Sequence, residues 1–307
     1  MSAQRPGGLA DGLAALPETR VERNLSLAPL TTYQVGGPAD WAVFPRTPEA
    51  LAAAVALLRE HGLPIQVLGR GSNVLIGDGG LRGVLLVLRE LEGVERLEHR
   101  LRVGAGADCT AAAAAALEAG LTGIEFFHYL PGSVGGAAFM NARAFEQEMS
   151  HVWRSALVVT AEGSLAERRF AQGDFAYKSS PLQTSRELVA RLDLELAPGA
   201  PDESHARMRA NEEKRRANRE LDYPSCGCVF KNDHAFGAPS GHLIDRCGLK
   251  GFTIGGAQVS AHHANFVINL GHATAADLRA VIEHVRRVVH EQTGHLMEPE
   301  VRFVGEF

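Results

Sequence analysis

The chain has 307 residues and a formal net charge of −5, from 31 basic and 36 acidic side chains. That length allows two or three lobes around a substantial core, and the acidic balance argues against nucleic acid as a main partner. Four scattered cysteines exclude a disulfide framework, and the lack of a long apolar run predicts a cytoplasmic protein without signal peptide, membrane span or membrane partner.

The first 75 residues predict a loose tail followed by a β–α–β unit that ends in a glycine loop. Residues 1–20 mix Gly, Ala and Pro without a period, which is typical of a tail. β-Forming residues on both sides of a Gly-Gly pair in 30–44 indicate two strands and a tight turn. Thr47-Pro48 precedes an apolar-periodic run that ends at Gly62, which predicts a helix. A strand over 64–68 then leads into the loop VLGRGSNVL.

The middle of the chain predicts a mixed α+β lobe. An alanine-rich helix over 110–119, closed by Gly120, leads directly into the glycine-rich stretch LPGSVGGAAFMNAR. Strands are predicted on both sides of this stretch, at 83–88, 101–104, 157–160, 168–170 and 188–196. The sequence Pro-Gly-Ala-Pro at 198–201 is the best candidate for a domain boundary.

The remainder of the chain predicts a second lobe that contains both helices and strands. A helix capped by Asp202 runs through the basic sequence HARMRANEEKRRANRE, most of whose charge we expect to face solvent. PSCGCVFKN reads as a loop, and 264–270 reads as a strand. Thr274 and Asp277 form a capping box before the final helix, and the sequence EPEVRFVG predicts a final strand.

The two glycine loops indicate a phosphate-bearing ligand. Backbone N–H groups can approach an anion closely where no Cβ intervenes. VLGRGSNVL alone is equally compatible with a tight turn, and it does not match the dinucleotide pattern GxGxxG. The longer second loop, over 130–143, is harder to explain as a turn. Two such loops in one chain suggest a long cofactor that carries a diphosphate.

Cys226 and Cys228 admit more than one interpretation. No second cysteine pair and no histidine at ligand spacing accompany them, so no metal site is predicted. A cysteine in this Ser/Gly loop, close to Lys231 and Asn232, is a candidate proton donor because a thiol is more acidic than a hydroxyl. It is equally compatible with a small buried apolar residue. Glu300 lies near the start of the last predicted strand, and periodicity does not decide which way it faces.

Seven motifs, taken in order, resemble the UDP-N-acetylenolpyruvoylglucosamine reductase family. They extend from about Leu30 to Gly305 and read TTYQVGGPAD, VLGRGSNVLI, LPGSVGGAAFMNA, FAYKSS, PSCGCVFKN, GHLIDRCGLKG with GGAQVSAHHANFVIN, and EPEVRF. The resemblance implies an NADPH-dependent flavoenzyme that reduces UDP-N-acetylglucosamine enolpyruvate to UDP-N-acetylmuramate in peptidoglycan precursor synthesis. The chain is similar to the branch of the family that lacks an extra substrate-covering loop.

The resemblance also implies the fold and the domain organisation. It predicts an α+β protein with an FAD-binding region of the vanillyl-alcohol oxidase type and a separate substrate-binding domain. The expected segments are a flexible tail over 1–20, FAD-binding subdomains over 21–85 and 86–199, a substrate-binding domain over 200–297, and a strand over 298–307 that returns to the active site. We expect a monomer.

Site residues follow from the same resemblance. The implied reaction passes a hydride from reduced FAD to the enolpyruvyl group, and Cys228 falls where the family has its proton donor, often a serine. Lys178 and Glu300 fall where the family holds the substrate carboxylate. The residues expected to bind FAD are Gly69, Arg70, Gly71, Ser72, Asn73, Pro131, Gly132, Ser133, Gly135, Gly136 and Asn141, and those expected to line the substrate site are Tyr177, Arg215, Lys231 and Asn232.

Three departures from the family pattern bear on activity. Lys178 stands where arginine is usual, which keeps the charge and loses the bidentate fork. Arg143 stands where glycine is common. Cys228 in place of serine predicts that turnover falls as pH rises through the pKa of the thiol. The alternatives are a related flavin oxidoreductase with another substrate, or an inactive homologue that binds FAD and the UDP-sugar.

Overall fold

The structure, a computed structural model, describes residues 8–307. Its α-helices are α1 (Leu9–Ala14), α2 (Pro48–Glu60), α3 (Cys109–Glu118), α4 (Val134–Met140), α5 (Leu182–Ser185), α6 (Pro201–Ala217), α7 (Ser240–Arg246) and α8 (Ala275–Thr293). Its β-strands are β1 (Thr19–Ser26), β2 (Pro38–Pro45), β3 (Gln66–Leu68), β4 (Val74–Ile76), β5 (Leu81–Val87), β6 (Val94–Leu97), β7 (Arg100–Gly104), β8 (Leu121–Thr122), β9 (Arg143–Ala144), β10 (Gln147–Glu148), β11 (Trp153–Val159), β12 (Leu165–Arg168), β13 (Leu188–Glu195), β14 (Ala197–Pro198), β15 (Ser225–Cys228), β16 (Thr253–Ile254), β17 (Ala257–Val259), β18 (Phe266–Asn269) and β19 (Arg302–Val304). Within this range, no helix has the length and apolar character needed to cross a membrane.

The chain divides into two compact units whose segments are interleaved along the sequence. The first unit comprises the residues up to Leu25, Asp40–Arg70 and Gly83–Asn211. The second comprises Ser26–Ala39, Gly71–Arg82 and Glu212–Phe307. This division corrects the continuous segments predicted from the sequence, because two short early segments belong with the C-terminal part of the chain.

A four-stranded sheet and helix α2 form one part of the first unit. The strand order is β1-β2-β5-β3, and β3 runs parallel to β5. Helix α2 begins where the sequence predicts, because the Thr47 hydroxyl accepts a hydrogen bond from Ala50 N (3.1 Å) and Pro48 occupies the first turn. The fully buried face of this helix carries Ala50, Leu51, Ala54, Val55 and Leu58.

A five-stranded antiparallel sheet forms the other part of the first unit. Its order is β12-β11-β13-β7-β6, and alternate residues of β7 and β13 point into one core. Strand β7 leads through Ala105–Ala107 into α3, whose first turn is capped by Asp108, which accepts from Ala111 N (3.1 Å). The backbone between β7 and α3 supports the second glycine loop.

The second unit is a four-stranded sheet covered by helix α8. The strand order is β15-β18-β17-β16, and the predicted capping box forms, with Thr274 and Asp277 exchanging hydrogen bonds of 3.0 Å. Asp78, which lies almost 200 residues earlier in the sequence, accepts from Ala275 N (2.9 Å) and Ala276 N (3.0 Å). A carboxylate at the start of a helix also opposes the positive end of the helix dipole. The N-terminus of α8 is therefore bound to the segment that follows β4.

A parallel strand pair joins the first glycine loop region to the C-terminal part of the second unit. β4 and β19 pair in register from Val74 with Arg302 to Ile76 with Val304. Close contact continues beyond the pair, because a Cβ on Gly77 would lie only 2.0 Å from the carbonyl oxygen of Glu306. The predicted C-terminal strand exists, and its partner strand β4 has no independent signal in the sequence.

Several local predictions need correction. The prediction of a loose tail over 1–20 is wrong for residues 8–20, because α1 covers Leu9–Ala14, Leu13 is buried and β1 begins at Thr19. Residues 1–7 lie outside the described range. The first strand predicted in 30–44 is also absent, since a short 3₁₀ turn precedes Thr31 and the first strand of this region is β2. The predicted boundary at 199/200 lies next to the start of α6, and the division between units falls inside that helix.

A buried carboxylate connects α6 to the rest of the first unit. Glu125 accepts hydrogen bonds from Thr122 Oγ1 (2.5 Å), Ser204 Oγ (2.8 Å) and Arg207 Nη2 (2.7 Å), and its side chain is 10% exposed. Burial by itself raises the pKa of this carboxyl. The hydrogen bonds from Thr122, Arg207 and Ser204 outweigh burial and lower the pKa of Glu125 to about 2.

Glu125→Gln is expected to destabilise the protein by about 2–3 kcal/mol at pH 7, because the stabilised charge is lost. The folded-state pKa is lower than the ordinary value of 4.5. The stabilisation is therefore complete above about pH 4.5 and declines as pH falls toward 2. Urea unfolding at pH 7 and at pH 3 measures this, and the difference between wild type and variant should shrink at pH 3. Glu203→Gln, on the same helix and 75% exposed, is the matched control, with an expected effect below about 0.5 kcal/mol.

Candidate functional site

Two glycines of the first glycine loop lie in close contact with neighbouring segments. A Cβ on Gly69 would lie 2.6 Å from Ser133 Oγ, so this part of the loop touches the second glycine loop within the first unit. Gly71 has φ +67°, and a Cβ there would lie 2.2 Å from Leu30 O and 2.8 Å from Thr31 Cα within the second unit. Backbone packing therefore requires glycine at position 71, whereas Gly69 faces only a serine hydroxyl, and the two loops predicted separately from the sequence meet at Gly69.

The second glycine loop lies on the backbone between β7 and α3. Val134 N donates to Ala107 O and Gly135 N donates to Ala105 O, both at 2.9 Å. A Cβ on Gly135 would lie 2.8 Å from the Ala105 Cβ. Ser133 caps α4 by accepting from Gly136 N at 3.2 Å. These bonds use the N–H groups of Val134, Gly135 and Gly136 within the unit and fix the shape of the loop, and contact of this loop with a diphosphate stays a prediction.

Arg70, expected to bind FAD, is committed to contacts within the first unit. Its Nε donates to Gly106 O at 3.1 Å, and its Nη2 lies 2.9 Å from a carboxylate oxygen of Glu92. The guanidinium thereby connects the first glycine loop to the strand β7 region that carries the second loop. This arrangement supports a role in shaping the loop, and direct contact with a cofactor stays a prediction.

Asn141, also expected to bind FAD, is completely buried and uses its side chain internally. Its Oδ1 accepts from Ser150 N (3.0 Å), and its Nδ2 donates to Ala176 O (3.0 Å) and to Glu148 (3.2 Å). Its φ of +42° is a left-handed conformation that asparagine tolerates. The side chain therefore joins the end of α4 to the loop that carries Tyr177 and Lys178.

Arg143 lies on a short surface hairpin that follows the second glycine loop. It lies in the short strand β9, is exposed, and pairs across the hairpin with Glu148 in β10. Opposite charges directly across a strand pair are mildly favourable. The arginine at position 143 therefore projects from a surface hairpin.

The Tyr177–Lys178 turn is held on the C-terminal end of α4. Gln183 Nε2 donates both to Lys178 O (3.0 Å) and to Phe139 O (2.9 Å), and Ser180 Oγ donates to Phe139 O (2.7 Å). Lys178 has a left-handed backbone with φ +56°, and its Nζ lies 6.0 Å from the centre of the Tyr177 ring. These hydrogen bonds fix the backbone of the turn, and the role of the Lys178 side chain stays a prediction.

Cys226 and Cys228 occupy different environments although they are two residues apart. The register of β15 against β18 shifts between Ser225 and Cys228, and Gly227 between the cysteines has φ +71°. Cys226 is buried, and its Sγ donates to Val74 O at 3.3 Å; burial raises the pKa of this thiol to about 12. Cys228 is partly exposed, and both cysteines are reduced. Of the two interpretations left open by the sequence, the small buried residue describes Cys226.

Glu300 is fixed beside the strand that carries Cys228. Its backbone N–H donates to Val229 O at 2.7 Å, and a bridge between Phe230 and Pro299 extends the contact. Val229, which follows the candidate proton donor Cys228, is therefore hydrogen-bonded to Glu300, the candidate carboxylate-binding residue. The second unit brings these two predicted catalytic residues together, whereas Lys178 belongs to the first unit.

The remaining predicted substrate residues of the second unit have internal partners. Arg215 forms a 3.1 Å ion pair with Glu220, and the two side chains are 12% and 13% exposed. Lys231 Nζ lies 2.7 Å from Glu298, and Asn232 Oδ1 accepts from Ser240 N (2.9 Å). Their roles toward a substrate stay predictions. Gln183 and the Asn73–Glu300 contact described below were not predicted, because neither has a local sequence signal.

Comparison with known proteins defines the class of this chain. Residues 39–168 match the family model described as an FAD binding domain. Residues 219–304 match the one described as UDP-N-acetylenolpyruvoylglucosamine reductase, C-terminal domain. The chain is thus a flavoprotein of α+β fold, and the region that matches the FAD binding domain contains both glycine loops. The predicted fold class is confirmed.

Similarity over nearly the whole length defines the family. A UDP-N-acetylenolpyruvoylglucosamine reductase of Limosilactobacillus reuteri is 39% identical over 297 residues, which are 97% of this chain and 99% of that protein. The enzyme of the same name from Pediococcus pentosaceus is 39% identical over 292 residues, 95% and 97% of the two chains. The crystal structure of the Thermus caldophilus reductase superposes with a TM-score of 0.78 at 32% identity, covering 93% and 99%. The chain belongs to the UDP-N-acetylenolpyruvoylglucosamine reductase family, as its motifs predict.

Proposed function

We propose that this protein reduces UDP-N-acetylglucosamine enolpyruvate to UDP-N-acetylmuramate, with NADPH as the reductant and FAD as the bound cofactor. Family membership supports the reaction. The observation that carries it is the 2.7 Å hydrogen bond from Glu300 N to Val229 O. This bond joins the segment of Glu300, the candidate carboxyl group, to the segment of Cys228, the candidate proton donor. The expected cytoplasmic location and monomeric state stay predictions.

The chain's glycine loops are suited to hold the diphosphate of FAD. Gly135 packs against Ala105 so closely that a Cβ would lie 2.8 Å from the Ala105 Cβ, and Gly69 lies beside Ser133, so the two loops hold one fixed arrangement next to each other. When bound there, FAD supplies the hydride for the β-carbon of the enolpyruvyl group, after receiving one from NADPH. The close packing of Gly71 and the cap that Ser133 forms on α4 fix the loop backbone around them, which also supports the assignment of the loops to FAD.

Cys228 is the proposed general acid. Hydride addition to the β-carbon leaves negative charge on the α-carbon and its carboxylate, and a proton from the Cys228 S–H group neutralises the α-carbon. The thiolate then regains its proton from solvent, so the double bond gains one hydride and one proton overall. Partial exposure of Cys228 allows that exchange, whereas the buried Cys226 has no such access.

Lys178 and Glu300 are proposed to act on the substrate carboxylate. Lys178 supplies a positive charge, which is worth more as negative charge develops during the reaction. Glu300 can donate a hydrogen bond to a carboxylate only in its protonated form. Positioning matters for both, and the Gln183 contacts of the Lys178 turn and the backbone bonds of Glu300 supply it.

A single cuvette tests the proposal. The purified protein, loaded with FAD under anaerobic conditions, is expected to lose its visible flavin absorbance on addition of NADPH and to regain it on addition of the enolpyruvyl sugar nucleotide. Bleaching without recovery would identify a flavin oxidoreductase with a different substrate. A protein that binds FAD and the sugar nucleotide but is not bleached by NADPH would be the inactive homologue.

A further inference from the structure

Asn73 contacts the segment of Glu300 through both its backbone and its side chain. Arg302 N donates to Asn73 O at 3.1 Å within the parallel pair β4–β19. Asn73 Nδ2 donates to the carbonyl oxygen of Glu300, also at 3.1 Å. Because a carbonyl can only accept, the NH₂ group of the amide must face it, and the orientation of the side chain is determined.

Glu300 consequently has both of its backbone polar groups bound. Its N–H donates to Val229 O at 2.7 Å, and its C=O accepts from Asn73. These two bonds act on opposite sides of one Cα, so together they restrict the direction in which the Glu300 side chain leaves the backbone. Removing the Asn73 amide takes away the bond to the C=O and keeps the bond on the Val229 side.

The loop that carries Asn73 is itself held in place from within the second unit. Thr32 N donates to Gly71 O at 3.1 Å, and the buried Cys226 Sγ donates to Val74 O at 3.3 Å. These contacts bind the residues on both sides of Asn73. The amide is therefore a donor on a fixed loop, and its loss is not compensated by a small movement of that loop.

We infer that Asn73 is a positioning residue that orients Glu300 toward the substrate through the Asn73 Nδ2 to Glu300 O hydrogen bond. The inference rests on the proposed function, in which Glu300 acts on the substrate carboxylate. It differs from the sequence expectation, which assigns Asn73 to FAD, because the side-chain amide is committed to Glu300 and only the backbone of this residue belongs to the glycine loop. One residue then aligns the cofactor loop with the carboxyl group that acts on the substrate.

The two half-reactions separate this role from a role in cofactor binding. Asn73→Ala, tested as the full chain loaded with FAD, is expected to slow flavin reoxidation by saturating enolpyruvyl sugar nucleotide by about 10- to 100-fold, the effect of displacing a reacting group by a fraction of an ångström. Flavin reduction by NADPH and the Kd for FAD, followed by flavin fluorescence, are expected to change less than about threefold. Asn73→Asp keeps the shape and loses the donor, so it should match the alanine variant even if alanine reduces stability.

Gln258→Ala is the matched control, because it removes a side-chain amide hydrogen bond of 3.0 Å, to Thr253 Oγ1, in the same unit without touching the Asn73 loop or Glu300, and both of its half-reactions should stay near wild type. Equal slowing of both half-reactions in the Asn73 variants would overturn the inference, as would reoxidation at the wild-type rate in Asn73→Asp. If saturating FAD restores the activity that an Asn73 variant loses, Asn73 acts in cofactor binding, and the inference is also overturned. A wild-type protein that NADPH reduces but the sugar nucleotide does not reoxidise would instead overturn the proposed function, and the inference with it.

Discussion

Cys228→Ala is expected to slow reoxidation of the reduced flavin by the enolpyruvyl sugar nucleotide by about 10²- to 10⁴-fold, the usual contribution of a general acid. Flavin reduction by NADPH should stay within about twofold of wild type, because that step requires no proton from Cys228. Stopped-flow absorbance at the flavin band measures both rates on the same preparation. The selective loss would assign the proton transfer to this thiol.

Cys228→Ser is the matched variant, because a hydroxyl replaces the thiol at nearly the same position and retains a transferable proton. We expect it to recover much of the reoxidation rate and to remove the decline in turnover that the thiol imposes as pH rises through its pKa. Parallel loss of both half-reactions in Cys228→Ala would contradict the assignment, since it would indicate damage to flavin binding or to the fold.

Gly71→Ala is expected to destabilise the protein by about 2–4 kcal/mol and to weaken FAD binding at least about tenfold. The backbone has φ +67°, which disfavours a side chain, and the new Cβ would meet the carbonyl of Leu30 and the Cα of Thr31, neither of which can rotate away. The loop must therefore move. Loss of even one hydrogen bond to a charged phosphate costs about 1.5–3 kcal/mol, or at least tenfold in Kd.

Gly248→Ala provides the comparison for Gly71→Ala. Gly248 has a similar φ of +72°, lies in the same unit, and has no atom within 4 Å of the position that a Cβ would take. Thermal unfolding should show a loss of about 1 kcal/mol for this variant, and fluorescence titration should show an unchanged Kd for FAD. Similar FAD affinities in the two variants would mean that the first glycine loop does not hold the cofactor.

Elements with complete local signals were predicted from the sequence. Helix α2 has a cap at Thr47, proline in its first turn and one apolar face, and α8 has the Thr274–Asp277 capping box. Both helices were found within one or two residues of the prediction. α1 was missed because six residues are too few to show a helical period, and Leu13 is buried only through tertiary packing.

The division of the chain could not be predicted, because it depends on pairing between distant segments. Val74–Ile76 reads as the end of a glycine loop, and nothing local indicates a parallel partner at Arg302–Val304. For the same reason Glu300 could be named from its motif, whereas its contact with Asn73 could not. Periodicity reports which face of an element is buried, and it does not report which remote segment covers that face.

The pairing of β4 with β19 also bears on the order in which the protein can fold during synthesis. The two strands are roughly 230 residues apart, and the second unit draws on residues 26–39 and 71–82 as well as on Glu212–Phe307. The segments of the first unit end at Asn211, so all of them leave the ribosome before the residues of β19 are made. Long-range pairing of this kind is slow, and an unpaired strand is prone to aggregation while it waits. Translation therefore leaves the Gly71–Arg82 segment, with Asn73, unpaired until the C-terminal residues emerge.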